Sequence, residues 1–159
     1  MTKNVEIKGL KELNSKVAGM KTRSINLYPP LNAAGYIIAR SVRKNIHEQG
    51  RPRWNKPSAR VKATGGKTLI KSTDMYKSIN SRVQGNTAIV GTNKIQAAIH
   101  HYGGVITAKN VPYLCFRVAG KFVKVKSVKI PARPYMMIQK EDITKILKVF
   151  DDYIVRGRA

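Results

Sequence analysis

Apolar residues recur at helical spacing in three long segments of the chain. The run from Val5 to Met20 has lysines between its apolar positions, which predicts an amphipathic helix over about residues 5–20. A second helix is predicted from the two prolines at 29–30 to about residue 48, because proline is tolerated in the first helical turn. A third helix is predicted over about residues 141–155.

Shorter segments between these helices predict strands and turns. Residues 81–83 and 87–91 flank a Gln-Gly-Asn turn, and residues 114–118 and 122–126 flank an Ala-Gly-Lys turn, so each pair is expected to form a β-hairpin. Residues 128–130 can extend the second hairpin as a further strand. Short helical segments are expected at 75–79 and at 94–102, the latter ending at a glycine pair. The predicted fold is α+β, with a small antiparallel β-sheet, an N-terminal helix pair and a C-terminal helix.

The 159 residues suit a single domain spanning 1–159, since domains commonly have about 100–200 residues. Residues 50–68 contain two prolines, a glycine pair and several basic residues, so they are predicted to form a long basic loop. A loop of this length in a compact domain is usually functional or mobile, and contact with another subunit is one such function.

Positive charge dominates the middle of the chain. The sequence has 31 lysines and arginines against 8 aspartates and glutamates, a formal net charge of +23, and residues 51–140 hold 18 of these bases and a single acid. Such an excess of positive charge predicts a polyanionic partner, either nucleic acid or an acidic protein surface. Four lysines in and beside the second hairpin are predicted to face DNA or an acidic partner, although lysines on a solvated sheet edge explain them equally well: Lys121, Lys124, Lys126 and Lys129. Basic residues of the 50–68 loop form a second predicted patch: Arg51, Arg53, Lys56, Arg60, Lys62 and Lys67.

Residues suited to catalysis or to metal binding are scarce. Only Asp74 lies between Glu48 and Glu141, so a paired-carboxylate or two-metal site is not expected. The acids of the last helix are interpreted as a solvated surface. We predict no enzymatic activity, no metal and no cofactor; a hydrolase that uses the three histidines is the remote alternative. These histidines are His47, His100 and His101, and a ring packed beside Tyr102 with a backbone hydrogen bond is the preferred explanation.

Two features bear on the cellular environment. The single cysteine, Cys115, excludes an intrachain disulfide and is expected to be a small buried apolar residue. No stretch approaches the roughly 20 apolar residues that span a bilayer, and the N-terminus lacks the apolar core of a signal peptide. We therefore expect that the protein is made in a cytoplasm-like compartment and does not associate with a membrane.

Three ordered motif segments run through the chain. The first is GRPRWNKPS at 50–58 followed by LIKSTDMYKSI at 69–79; the second is VGT at 90–92 followed by AAIHHYGG at 97–104; the third is IPARPY at 130–135. Together they resemble the phage virion morphogenesis family, the tail-completion and neck proteins of Mu-like and related contractile-tailed phages.

The resemblance implies a structural virion protein without catalysis. Such a protein completes the tail or joins head and tail, as a ring, expected to be a hexamer, that surrounds the DNA path and contacts tail-tube and connector or neck proteins. Its implied locations are the virion and, during assembly, the host cytoplasm. A non-specific nucleic-acid-binding module is the alternative that the charge alone supports.

The motifs also provide candidate subunit-interface residues. Trp54 either anchors its loop on the core or inserts into a neighbouring subunit, and both interpretations remain open. The glycine pair permits a turn with positive φ, and Arg133 is expected to point outward between two rigid prolines. The candidates are Trp54, His100, Tyr102, Gly103, Gly104, Pro131, Arg133 and Pro134.

Overall fold

The computed structural model describes residues 9–54, 65–70, 74–118 and 120–158. In these residues the elements follow one another as α1 (Leu10–Ile25), α2 (Tyr28–His47), α3 (Asp74–Lys77), β1 (Asn80–Gln84), β2 (Thr87–Gly91), α4 (Ala97–Tyr102), β3 (Gly104–Thr107), β4 (Leu114–Val118), β5 (Lys121–Val125), β6 (Ser127–Ile130) and α5 (Lys140–Ile154). The strands pair as three two-stranded antiparallel sheets, β1–β2, β3–β6 and β4–β5. The α+β class, with helices at both ends of the chain, is confirmed.

Helix α2 is the central element of the fold. Its buried positions recur every three or four residues, so that one side of the helix packs against α5 and another packs against the β1–β2 hairpin. Gly35 allows the hairpin to come close, because a Cβ at this position would lie 3.0 Å from the Cβ of Ser81. The buried apolar core around α2 consists of Ala39, Val42, Ile46, Met75, Ile79 and Tyr135.

Helix α5 begins with an acid that is buried rather than solvated. Asp142 is 2% exposed, and its carboxylate accepts hydrogen bonds from the backbone N–H of Gln139 and from the hydroxyl of Ser41 on α2. The first bond satisfies a donor at the helix N-terminus, where a negative charge is also favourable. The prediction of a solvated acidic surface is therefore wrong for Asp142, because α2 covers this turn.

Helix α1 lies at the edge of the molecule, and none of its residues is buried. It begins and ends about five residues later than predicted; residues 1–8 are outside the described part. Its C-terminal end is fastened to the end of α5, where the Arg23 side chain donates hydrogen bonds to the carbonyl oxygens of Ile154 (2.8 Å) and Val155 (3.4 Å). The guanidinium thus satisfies carbonyls that no helical N–H can reach.

Strand β6 pairs with β3 and not with the β4–β5 hairpin as its continuation. Its register places Ile130 opposite Gly104 and Ser127 opposite Thr107. The prediction for residues 128–130 is wrong on this pairing, because they pair with β3, a four-residue strand that begins at Gly104, the second of the glycines that end α4. Residues 121–130 thus form nearly one strand, paired first with β4 and then with β3, and we call the whole segment 104–130 the β-arm.

The described residues of the β-arm do not contribute to the core. None of its described residues is buried, although it contains several large apolar side chains. Cys115 is exposed on β4, so its expected burial is wrong. The remaining packed elements, which are α2, α3, β1, β2, α4, the segment 131–139 and α5, are called the body.

Candidate functional site

The second and third motifs meet where α4 ends. Gly103 has a φ of 74°, and a Cβ there would lie only 2.6 Å from the backbone nitrogen of Ala132. At Gly104 a Cβ would lie 2.9 Å from Cδ1 of Ile99. The predicted positive-φ turn is confirmed, and the close approach of the following segment gives a second reason for glycine at both positions. The segment is fixed here by a 2.9 Å hydrogen bond from the backbone N–H of Arg133 to the carbonyl oxygen of His100.

Arg133 lies inside the protein, so the predicted outward orientation is wrong. The residue is 2% exposed, and its Nε and Nη2 have no hydrogen-bond partner among the described residues. Nδ1 of the neighbouring His100 is buried and unpaired in the same way. Burial lowers the pKa of Arg133, while burial and then the charge of Arg133 lower the pKa of His100. The imidazole is therefore neutral at pH 7, beside a charged guanidinium.

Tyr135 is the buried aromatic residue to which the second motif attaches. Its hydroxyl donates a 3.0 Å hydrogen bond to the carbonyl oxygen of Ala97, and its burial raises the pKa of the phenol. The ring of His101 contacts Tyr135 edge-on at a centroid distance of 5.3 Å and Tyr102 at 4.6 Å. Nδ1 of His101 accepts a hydrogen bond from the backbone N–H of Met136. The expected histidine beside Tyr102, hydrogen-bonded to backbone, is confirmed for His101.

The extended segment 131–139 is held against α2 by one buried amide. Nδ2 of Asn45, a fully buried residue, donates to the carbonyl oxygens of Tyr135 (2.8 Å) and Met137 (3.0 Å). Pro131 and Pro134 are exposed on the outer side of this segment. Asn45 therefore satisfies two carbonyls that have no strand partner.

The first motif folds back onto its own chain. A Cβ at Gly50, whose φ is 103°, would lie 2.6 Å from both Cδ1 of Trp54 and the carbonyl oxygen of Pro52. The indole packs against the core beside α2, and its Nε1 is buried without a partner among the described residues. Of the two interpretations of Trp54, this position supports the anchor on the core. Its predicted role at a subunit interface stays a prediction.

Arg51, which the sequence placed in the basic loop, is a partly buried connector. Its Nε donates to Oδ1 of Asn45 (2.7 Å), and its two terminal nitrogens donate to the Ser41 hydroxyl (2.6 Å) and to the Glu141 carboxylate. The hydrogen bond from Arg51, and next the charge of Lys44, lower the pKa of Glu141. No sequence signal separates Arg51 from Arg53, since each flanks the same proline. Arg51, and not Arg53, makes these contacts because the folded chain brings position 51 beside α5.

The other predicted members of the loop patch have different positions. Arg53 and Lys67 are exposed, and Nζ of Lys67 lies 3.4 Å from Nε2 of His47. Lys56, Arg60 and Lys62 lie outside the described residues, as does most of the 50–68 loop.

The four predicted lysines of the second hairpin all lie on the β-arm and are exposed: Lys121, Lys124, Lys126 and Lys129. Lys124 stands opposite Cys115 in the β4–β5 register, and Lys129 stands opposite Val105 in the β3–β6 register. Beside Lys124 is an open groove of about 490 Å³. Its other lining residues are Val111, Pro112, Tyr113, Leu114 and Cys115.

The structure thus separates the predicted site residues into two groups. His100, Gly103, Gly104 and Arg133 come together inside the junction between α4 and the segment 131–139, whereas Tyr102, next to them in sequence, is 78% exposed. The lysines lie apart from them on the β-arm. In the part of the chain that the structure describes, no three His, Cys, Asp or Glu residues are arranged to hold a metal ion. No helix in those same ranges is both long and apolar enough to cross a membrane.

Comparison with known proteins agrees with the motif order. Residues 7–154 match the model of the phage virion morphogenesis family. The chain is also 29% identical over 149 residues to the Mu-like prophage FluMu G protein 2 of Haemophilus influenzae, and this match covers 94% of each chain. No solved structure matches the chain.

Proposed function

Because the chain belongs to the phage virion morphogenesis family, we propose that it is a structural virion protein that completes the tail or joins head and tail. We further propose that it acts without catalysis or a cofactor, as a ring around the DNA path, in contact with tail-tube and connector or neck proteins. It is made in the host cytoplasm and retained in the virion. The observation that carries this proposal is the family match over nearly the whole chain.

Two surfaces of the isolated chain support a protein that functions in an assembly. On α1, Leu10, Leu13 and Val17 are each about half exposed and recur at helical spacing along one stripe. On the β-arm, Phe122 is 63% exposed and Val105 is 60% exposed. Exposed large apolar side chains that are grouped on one element are typical of sites that are covered by another protein.

The charge also suits a subunit that lies near DNA. A formal net charge of +23 is compatible with a channel that surrounds a polyanion, and it requires no specific reading of bases.

The proposal is tested by removing the gene from a phage or prophage that encodes it, inducing particles, and examining them by electron microscopy. We expect unjoined heads and tails or tails of abnormal length, with normal virions restored by a plasmid copy. Infectious particles of normal shape from the deletion would exclude this function.

The ring is tested separately, by light scattering during gel filtration of nuclease-treated protein at moderate and high salt. A mass near six times 17.8 kDa, unchanged by salt and free of nucleic acid, is expected for a hexamer that forms unaided. A monomer would exclude a ring that forms without the tail or connector.

A non-specific nucleic-acid-binding module remains the second candidate, and the net charge is the observation that favours it. Duplex binding measured across a salt series distinguishes the two: neutralised phosphates predict a log–log slope of about −0.9 for each phosphate contacted. Failure to bind duplex DNA at low salt would exclude this candidate.

A further inference from the structure

The β-arm is a surface that the free chain leaves incomplete. An isolated two-stranded ribbon is only marginally stable in water, and stability usually requires a third strand or a packed face. The β4–β5 and β3–β6 pairs have neither in the described residues, since each sheet has two strands and no residue of the β-arm is buried. A partner that covers the β-arm would supply what is missing.

The two faces of the β-arm differ in chemistry. On one face of β4–β5, Phe116 stands opposite Val123 and Leu114 stands opposite Val125, which makes a continuous apolar strip. On the other face Lys124 stands opposite Cys115, and Phe122 stands opposite Arg117. Side chains alternate between the faces of a strand, so the ribbon presents an apolar strip with cations beside and behind it.

The charge of the β-arm has one sign. Its cations are Lys109, Arg117, Lys121, Lys124, Lys126 and Lys129, and the 27 residues from 104 to 130 include no aspartate or glutamate. A complementary partner therefore carries acidic groups. Duplex DNA satisfies the charge but offers little apolar surface for the strip, since the hydrogen bonds of proteins to it are mostly with phosphate and sugar.

A second copy of the chain provides few acids that are not already paired within it. Of the eight, Glu6 lies outside the described residues, and five others are held by their own chain: Glu48 and Glu141 by Lys44 and Arg51, Asp142 by Ser41 and Gln139, and Asp151 and Asp152 by Arg156. In the described ranges, only Glu12 and Asp74 have no such contact, and they lie on different elements. The copy also carries the same net charge of +23.

We propose that the β-arm docks onto a different protein of the assembly, one whose surface has an apolar centre bordered by acidic residues. The apolar strip packs against that centre, while the lysines pair with the acidic border. This inference rests on the proposed function, which supplies the assembly, but it concerns a surface that the proposed function does not assign.

The test is photo-cross-linking with the full chain in cells that produce particles. The photoreactive residue p-benzoyl-L-phenylalanine replaces Phe116 of the apolar strip or, as a matched control on the body, Ile89 of β2, which is exposed to almost the same extent (37% and 36%). Both versions are supplied to cells that carry the gene deletion, and the products are identified by mass spectrometry. We expect the β-arm position, and not Ile89, to capture another virion protein through an acidic segment.

The other outcomes overturn the proposal. Capture of a second copy would assign the β-arm to the contact between subunits, and capture of DNA would assign it to the channel. Capture of a protein through a segment without acidic residues, or no product from a version that restores virions, also contradicts it. If the unmodified gene does not restore virions, or the deletion has no effect, it is the proposed function that fails.

Charge reversal provides a second measurement. Lys124→Glu with Lys126→Glu should lower the cross-linking yield at residue 116 by about tenfold or more, because like charges then face each other. Lys145→Glu with Lys148→Glu, on exposed positions of α5, is the control and should leave the yield unchanged. Circular dichroism verifies that both double variants are folded. An equal yield from the two would contradict the role of the charge.

Discussion

The body and the β-arm are made of similar residues but are stabilised in different ways. In the body, polar and apolar groups are buried together: Asn45 and Ile46 are adjacent on α2, and both are completely inaccessible to solvent. In the β-arm, strand pairing is regular and yet no described residue is buried. The difference indicates that strand pairing mainly defines the shape of the β-arm, whereas side-chain burial defines the body. Substitutions should therefore disrupt folding in the body and assembly in the β-arm.

The largest effect is expected from Asn45→Leu. It removes the donor of two buried carbonyls and the acceptor of Arg51, and each unsatisfied buried group costs about 1–3 kcal/mol. We expect the free energy of unfolding, measured in urea, to fall by about 3–6 kcal/mol. A loss below about 1 kcal/mol would show that water satisfies these groups and that the amide does not fasten the segment 131–139.

A matched pair of apolar truncations compares the two regions directly. Ile46→Ala creates a cavity in the core and should cost about 2–5 kcal/mol. Phe122→Ala removes a larger side chain, but one that is 63% exposed. The loss in free energy of unfolding, including that of the contact with Arg117, should therefore be below about 1 kcal/mol. Urea unfolding of the free chain measures both. Equal losses would mean that the β-arm is packed in the free chain.

Two glycines with similar backbone conformations sharpen the comparison. Gly103 in the body and Gly120 at the tip of the β-arm have φ values of 74° and 83°. Alanine in the left-handed region costs about 1–2 kcal/mol at either position. At Gly103 its Cβ would also collide with the backbone of Ala132, while at Gly120 it would meet nothing within 4 Å. We expect Gly103→Ala to lower thermal stability clearly more than Gly120→Ala, and the reverse order would contradict this geometry.

The smallest effect concerns pH and Glu141, the exposed carboxylate that accepts a hydrogen bond from Arg51. The pKa of Glu141 is lowered in the folded chain, so its contribution is complete above its unfolded pKa of about 4.3 and is lost as the pH falls through the lower folded value. Glu141→Gln should therefore be less stable than the original chain at pH 7, and the difference should vanish toward pH 3. A constant difference in urea midpoint across this range would show that the charge of Glu141 does not contribute.

Much of the fold was predictable because its signals are local. The apolar spacing in α2 and α5, the two hairpin turns and the positive-φ glycine after α4 each depend on residues within one or two turns of the chain. Strand β3 was not predictable in this way, since its four residues, the first of them a glycine, carry too short an alternation. Its partner β6 lies more than twenty residues later, so the pairing depends on contacts that no local pattern encodes.

The candidate site was predictable as a set of positions but not as an arrangement. The motifs identified Trp54, His100 and Arg133, and the β-arm lysines were recognised as exposed. The orientation of Arg133 and the burial of Asp142 were not predicted, because charged residues are mostly exposed. In these two cases the packing of distant segments overrides that tendency.

The sequence by itself determined the helices, two hairpins, the excess of positive charge and the family, since composition, periodicity and motif order are properties of the chain alone. Only the tertiary structure decided that Arg51 connects α2 with α5, that Arg133 is buried beside His100, and that the β-arm stays outside the core. The physical reason is that burial depends on which surfaces meet. For Arg51 and Glu141, those surfaces are brought together from positions 90 residues apart.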